Sequence, residues 1–306
     1  MSAFLLRRLS TLPLVLLGVS IAVFAMVRLA PGGPAELLLP QGANEAELVE
    51  LRRALGLDEP VWIQYLIWMG DLLRGDLGRS VFTNRQVVGE LLPRFLASAE
   101  LALLSMTIAT LIGVVLGVIA ASNRNSWIDR ATMLLSLVGI STPVFWLGYL
   151  LILMFAVNLG WLPASGRGTL TQLVLPSVTL GLAAAANIAR ITRSSMLEVL
   201  SDDYIRTARG KGVRERTILR RHALQNALIP VVTVMGLQFG ALLGGAVLTE
   251  TVFAWPGAGK LMVDAILARD YPIVQGAVLV FAVAFTVVNI LIDLTYAYLD
   301  PRIRYT

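Results

Sequence analysis

The sequence predicts an all-α, polytopic membrane protein with six transmembrane helices, and three observations carry that prediction. Hydrophobic residues make up 57% of the 306-residue chain and charged residues only 15%, with a mean hydropathy of +0.75, far too apolar for a soluble domain of this size. Six apolar stretches each run to roughly 18 to 27 residues, against the roughly 20 needed to cross the hydrocarbon core as a helix. Arginine and lysine gather in alternate connecting segments, as the positive-inside bias requires.

The first span runs approximately from Leu9 to Leu29. It resembles a signal peptide only superficially, because its apolar run is longer than a usual h-region and Arg28 and Pro31 follow in place of a small-x-small cleavage site. Residues 1–30 are therefore expected to form a retained N-terminal transmembrane helix. Residues 31–96 make the one long connection, an extracytoplasmic helical subdomain. In it Asn44 and Glu47 have the spacing of a capping box that opens a helix through Leu55. Asp58 is expected to cap a second helix with Pro60 in its first turn, and Trp62, Tyr65, Leu66, Met69, Leu72 and Leu73 give that helix a broad apolar face. Two readings of the face stand side by side: an interfacial helix lying on the membrane, or a platform that receives a delivery protein.

Residues 97–306 carry five further spans, approximately Ala97–Ala121, Ala131–Val157, Gln172–Ala189, Leu228–Leu248 and Ile273–Tyr298. Pro176, Ser177, Thr179 and Asn187 dilute the fourth, which is expected to face protein or a water-filled path where such residues find partners. With six spans, Arg7, Arg8, Arg124, Arg130, the run from Arg190 to Arg221, Arg302 and Arg304 fall on one side. The opposite short loops hold Arg167, Lys260 and Arg269, so both termini are expected in the cytoplasm.

Composition also excludes chemistry. The chain has no cysteine and a single histidine, His222, which removes disulfides, thiolate sites and multi-histidine metal centres. The formal charge of +5 is explained by topology more economically than by nucleic acid. Gly257-Ala258-Gly259-Lys260 lacks the earlier glycine and the following Ser or Thr of a phosphate-binding loop, since Ala254 and Leu261 stand there. Glu100 and Glu250 are expected at outer helix ends, Glu100 near a helix N-terminus, and neither receives a catalytic role. Asp293, about two turns before Asp300, reads first as a shallow paired residue and second as a proton relay. His222 reads as a structural hydrogen bond at the root of the fifth span before it reads as a pH switch.

The most informative stretch is polar. Asp203-Tyr204-Ile205-Arg206-Thr207-Ala208-Arg209-Gly210-Lys211-Gly212 is followed by Arg220-Arg221-His222-Ala223-Leu224-Gln225-Asn226-Ala227 and Pro230. Ser201, Asp202 or Asp203 is placed to cap a helix of about two turns, and Gly210 and Gly212 to stop it. A helix that short is marginal alone and needs a partner.

This stretch resembles the cytoplasmic EAA-type loop of ABC importer permeases, in the form carried by the dipeptide/oligopeptide branch. Arg206, Thr207 and Ala208 take the places of the general Glu-Ala-Ala, and Gly212 takes that of the glycine. The Glu and first Ala are absent, and the proline arrives late at Pro230. Similar likenesses lie in Leu55–Pro60, Leu73–Gly78, Gly245–Lys260, Arg269–Pro272 and Asp293–Arg302; the Gly245–Lys260 stretch reads as a turn-rich re-entry with Trp255, like Tyr271, suited to the interface. The resemblance implies a type I permease architecture with a coupling loop at about 198–227. It also implies ATPase coupling through Asp203, Tyr204, Arg206, Thr207, Ala208 and Gly212. The implied partners are a second homologous permease, two ATPase subunits and an extracytoplasmic solute-binding protein, with dipeptides or oligopeptides carried across a prokaryotic inner membrane. No cofactor is expected in this chain; ATP and Mg would be bound by the partner ATPases. The alternatives are a permease for nickel or another small solute, and, in a different class, an ion-coupled secondary transporter.

Overall fold

The computed structural model describes residues 2–29, 44–54 and 57–299. Among them the regular structure is helical apart from one isolated antiparallel bridge between Arg79 and Gln86. In chain order the helices are α1 (Ser2–Leu29), α2 (Glu45–Ala54), α3 (Val61–Leu73), α4 (Val87–Ser122), α5 (Trp127–Ser141) and α6 (Val144–Leu151), the last continuing as a π-helix over Ile152–Asn158. There follow α7 (Leu170–Leu200), α8 (Asp203–Gly210) and α9 (Glu215–Thr217), then a π-helix at Ile218–Ala223 that leads into α10 (Leu224–Gly245). The chain continues through α11 (Val247–Val252), α12 (Ala258–Ala268) and α13 (Tyr271–Leu299).

Among the described residues five stretches are long and apolar enough to cross a membrane: α1, α4, α7, the α9–α10 run and α13. A sixth exists only if α5 and α6 count together, and these are bent by 102°. The third expected span is thus a broken one. Pro143 has no N–H to donate and pushes the residue before it out of helical geometry, and Thr142 accordingly sits at φ −78°, ψ 125°. Two compact units divide the chain, one holding Ala97–Gly257 and the chain from Val287 onward, the other Ser2–Leu96 with Ala258–Thr286.

In the first unit α7 is the axis. Two thirds of its apolar window (67%) is buried, so the helix that the sequence marks as diluted is the one enclosed by protein. Close approach is made possible by glycine. A Cβ at Gly113 would lie 2.7 Å from that of Ile188, one at Gly117 would lie 2.5 Å from that of Thr192, and Gly181 meets Ile108 at 2.8 Å in return. Gly113 and Gly117 form a small-xxx-small pair, the spacing that lets helix backbones touch where no hydrophobic effect drives packing. On another side Arg193 of α7 donates to both carboxylate oxygens of Asp129 on α5, at 2.5 and 2.8 Å. Asn125, at φ +64°, gives its backbone N–H to the same carboxylate at 2.9 Å.

Other expectations are corrected in this unit. Glu100 lies inside α4, which begins ten residues earlier than expected, and it pairs with Arg167 at 2.8 Å. Glu250 is 1% exposed and accepts from Ser98 at 2.5 Å, with Gly257 packed against its carboxyl. Trp255 is also buried, its indole N–H donating to the Ala97 carbonyl at 3.0 Å, and so is no interfacial anchor. Asp293 falls on α13, but its side chain, like Asp300, Pro301 and Arg302, lies outside the described residues.

The second unit is built on Val87 and Leu91 at the start of α4, packed with Ala258, Leu261, Ile273 and Val274. The buried Asp270 carboxylate accepts from the Ser80 hydroxyl at 2.5 Å and the Val81 N–H at 3.3 Å, tying the turn before α4 to the start of α13. The Asn44–Glu47 capping box forms, with Glu47 N–H donating to Asn44 Oδ1 at 2.8 Å and Asn44 N–H to Glu47 Oε2 at 3.3 Å. Leu55, its expected end, is outside the described residues. At α3 the expected cap is absent: Pro60, not Asp58, holds the N-cap position, without a side-chain bond. The Gln64 amide donates to the carbonyls of Leu57 and Glu59 in the preceding turn, at 3.1 and 2.7 Å.

Candidate functional site

Helix α8 is where the polar stretch places it. Asp202 is its N-cap by backbone geometry (φ −67°, ψ 150°) but makes no side-chain cap bond. The other end is fully specified. Gly212 adopts φ +77°, its N–H bonds the Arg209 carbonyl at 2.9 Å, and the Val213 N–H bonds the Ala208 carbonyl at 3.2 Å. These two bonds are the Schellman closure, which requires a left-handed residue at the glycine. Gly210 does not share that duty; it is the last residue of the helix itself.

One face of α8 is bound to its own subunit. Ile205 is fully buried against Met196, Ile218, Ala223 and Ala227, with Ala208 half-buried beside them. The Tyr204 hydroxyl donates to the His222 carbonyl at 3.2 Å and accepts from the Asn226 amide at 2.7 Å. His222 thus serves at the root of the fifth span through its backbone. Arg209 is anchored by Glu215, at 2.7 and 3.1 Å, and this hydrogen-bonded carboxylate holds its guanidinium above the ordinary value. What remains outward is Asp203, Arg206, Thr207 and Gly210, with Arg206 3.3 Å from Asp203. The six expected residues therefore divide. Asp203, Arg206 and Thr207 present a surface, whereas Tyr204, Ala208 and Gly212 fix the helix that presents it.

The same unit contains a cavity of about 690 Å³ between α5, α6, α7, α10 and α11, lined mainly by apolar residues such as Ile140, Val144, Leu180 and Leu242. Thr142, Asn187, Arg190, Gln238 and Thr249 interrupt the lining. Arg190 donates to Asn187 at 3.1 Å, and the amide nitrogen of Gln238 is buried without a hydrogen-bond partner among the described residues. A site of this size with few polar groups fits the usual form of a small-molecule site. Of these residues the sequence singled out Asn187, as a diluting residue, and Arg190, as the start of the basic run. Gln238, a lone amide inside an apolar span, was the signal available. The Asp129–Arg193 pair was also missed, because one partner lies at a span's start and the other within the basic run.

Family comparison decides what such an arrangement belongs to. Residues 113–305 match the family described as binding-protein-dependent transport system inner membrane component, and residues 1–102 match the N-terminal model of the same membrane component. The chain belongs to this family. It is a multi-pass inner-membrane permease of the ABC importer class, and membership implies ATPase and binding-protein partners. The permease is 44% identical to the dipeptide transport system permease protein DppB of Alkalihalophilus pseudofirmus, across 100% of both chains. It is 47% identical to the glutathione transport system permease protein GsiC of Pectobacterium atrosepticum, covering 99% of this chain and 98% of that one. Among solved structures the permease resembles the MetNI methionine ABC transporter in an inward-facing conformation, with TM-score 0.59, 21% identity, and coverage of 68% of this chain and 95% of that one. At that identity the likeness speaks to the fold, and the fold is that of a type I permease.

Proposed function

We propose that this permease carries dipeptides or short oligopeptides inward, as one of two related membrane subunits that enclose a path and are driven by two ATPases. The observation that carries the reading is full-length similarity at 44–47% identity to permeases named for a dipeptide and for glutathione. The 690 Å³ cavity is then this subunit's share of the path. Among its polar lining residues, Arg190, Asn187 and Gln238 are the groups that meet the polar atoms of a passing peptide. Both termini and α8 lie in the cytoplasm, in keeping with the distribution of arginine. ATP and Mg are bound by the ATPases, and this chain holds no cofactor and catalyses no reaction itself.

Coupling follows from α8. Asp203, Arg206 and Thr207 dock into an ATPase groove, while Ile205 and Tyr204 make the helix move as one body with α7 and α10. A nucleotide-driven displacement of the ATPase is thereby passed to the helices that line the cavity, the element whose two positions any coupling scheme needs. The test is substrate-stimulated ATP hydrolysis by the purified assembly with its binding protein. Dipeptides and tripeptides are expected to stimulate it. Stimulation by nickel or free amino acids, with none by peptides, would overturn the peptide assignment.

A further inference from the structure

Helix α3 is too short to span a bilayer at 13 residues, yet it is strongly apolar and only half of its apolar surface is used. The used half faces α1. Tyr65 packs edge-on to Phe24 at 5.2 Å between ring centroids, Trp68 lies 5.6 Å from the same ring, and the Tyr65 hydroxyl is 2.8 Å from that of Ser20. Arg28 donates to Gln64 at 2.6 Å. Ser20, Phe24 and Arg28 recur every fourth residue, so they form one stripe along the outer third of a spanning helix that ends at Leu29. With a rise of 1.5 Å per residue, the contact extends about 12 Å along that span from Arg28 down to Ser20.

The unused half is the adjoining stripe. Trp62 is 65%, Leu66 59% and Leu73 81% exposed, and the i, i+4, i+11 spacing sets them on one side of the helix. The polar residues Gln64 and Asp71 lie on the other side. A helix pinned by its partners to the depth of a span's last turns carries its free apolar stripe at that same depth. That stripe is also continuous in kind with the bare side of α1, where Leu17, Ile21 and Met26 are exposed.

We infer that α3 lies in the bilayer interface, with Trp62, Leu66 and Leu73 embedded in lipid, and is not a docking platform for a soluble protein. A protein partner would have to cover this stripe from the membrane side. A Trp-bearing apolar stripe beside a polar edge is instead what the headgroup boundary accommodates.

The chain has no cysteine, so single cysteines report cleanly. Leu66→Cys and Leu73→Cys, with Asp71→Cys as the polar-side reference, are spin-labelled in the full chain assembled with its partners in lipid nanodiscs. Collision with oxygen is then compared with collision with a water-soluble nickel chelate, with and without the binding protein. Oxygen is expected to dominate several-fold at positions 66 and 73 relative to position 71, unchanged by the binding protein. Preference for the nickel chelate at 66 and 73, or shielding that comes only with the binding protein, would overturn the inference and make the stripe a protein-docking face. The inference does not depend on what the permease carries.

Discussion

Gly212 is the residue on which the coupling reading turns. Its φ of +77° is a conformation that a β-branched side chain resists, at about 1–3 kcal/mol, although no atom lies within 4 Å of where a Cβ would stand. Gly212→Val is therefore expected to open the Schellman closure without disturbing packing. Membrane abundance should stay normal while substrate-stimulated ATP hydrolysis and uptake fall, and normal uptake at normal abundance would remove α8 from the coupling path. Tyr204 offers a milder probe. Tyr204→Phe deletes the hydroxyl shared by His222 and Asn226, worth about 1 kcal/mol, and should loosen α8 from α10. Hydrogen exchange in residues 203–210 should rise several-fold, with the spanning helices unaffected.

At the scale of elements, the spans with unbroken apolar sequence were legible and their boundaries less so. The capping box at Asn44 and the stop at Gly212 could be read because short-range backbone bonding specifies them locally. Pro143 was equally local but was overlooked inside an apolar run, although it turns the third span by 102°. Asp58 is not the cap because the helix starts at Val61, later than the spacing implies, which leaves Pro60 at the N-cap position. The burial of Glu250 and Trp255 depends on residues about 150 positions away in sequence, which no local pattern encodes. Glycine contacts at α4–α7 are of the same long-range kind. Gly117→Leu would drive a side chain into Thr192 and the Ala189 carbonyl, at 2.5 and 2.7 Å from the new Cβ. About 1–3 kcal/mol of overpacking should appear as a lower midpoint of thermal unfolding in detergent. Gly18→Leu in α1, with nothing within 4 Å, should leave that midpoint unchanged.

For the whole molecule, fold class and family were readable because composition and motif blocks are distributed along the entire chain. The cavity was not, since its walls come from five helices and its few polar residues are scattered among them. Orientation is open to direct measurement: single cysteines replacing Asn44 and Arg214 should be labelled by an impermeant reagent from opposite faces of intact cells and inverted vesicles, and labelling of both from one face would contradict the six-crossing account. The central claim is that this permease is moved by ATP through partner subunits. It is tested most directly by peptide uptake into proteoliposomes that contain the full assembly, with ATP supplied on the ATPase side and ion gradients abolished by ionophores. Uptake should persist under those conditions and stop when ATP or the ATPases are omitted; uptake that survives without ATP and collapses with the proton gradient would contradict the account and assign the chain to ion-coupled transport.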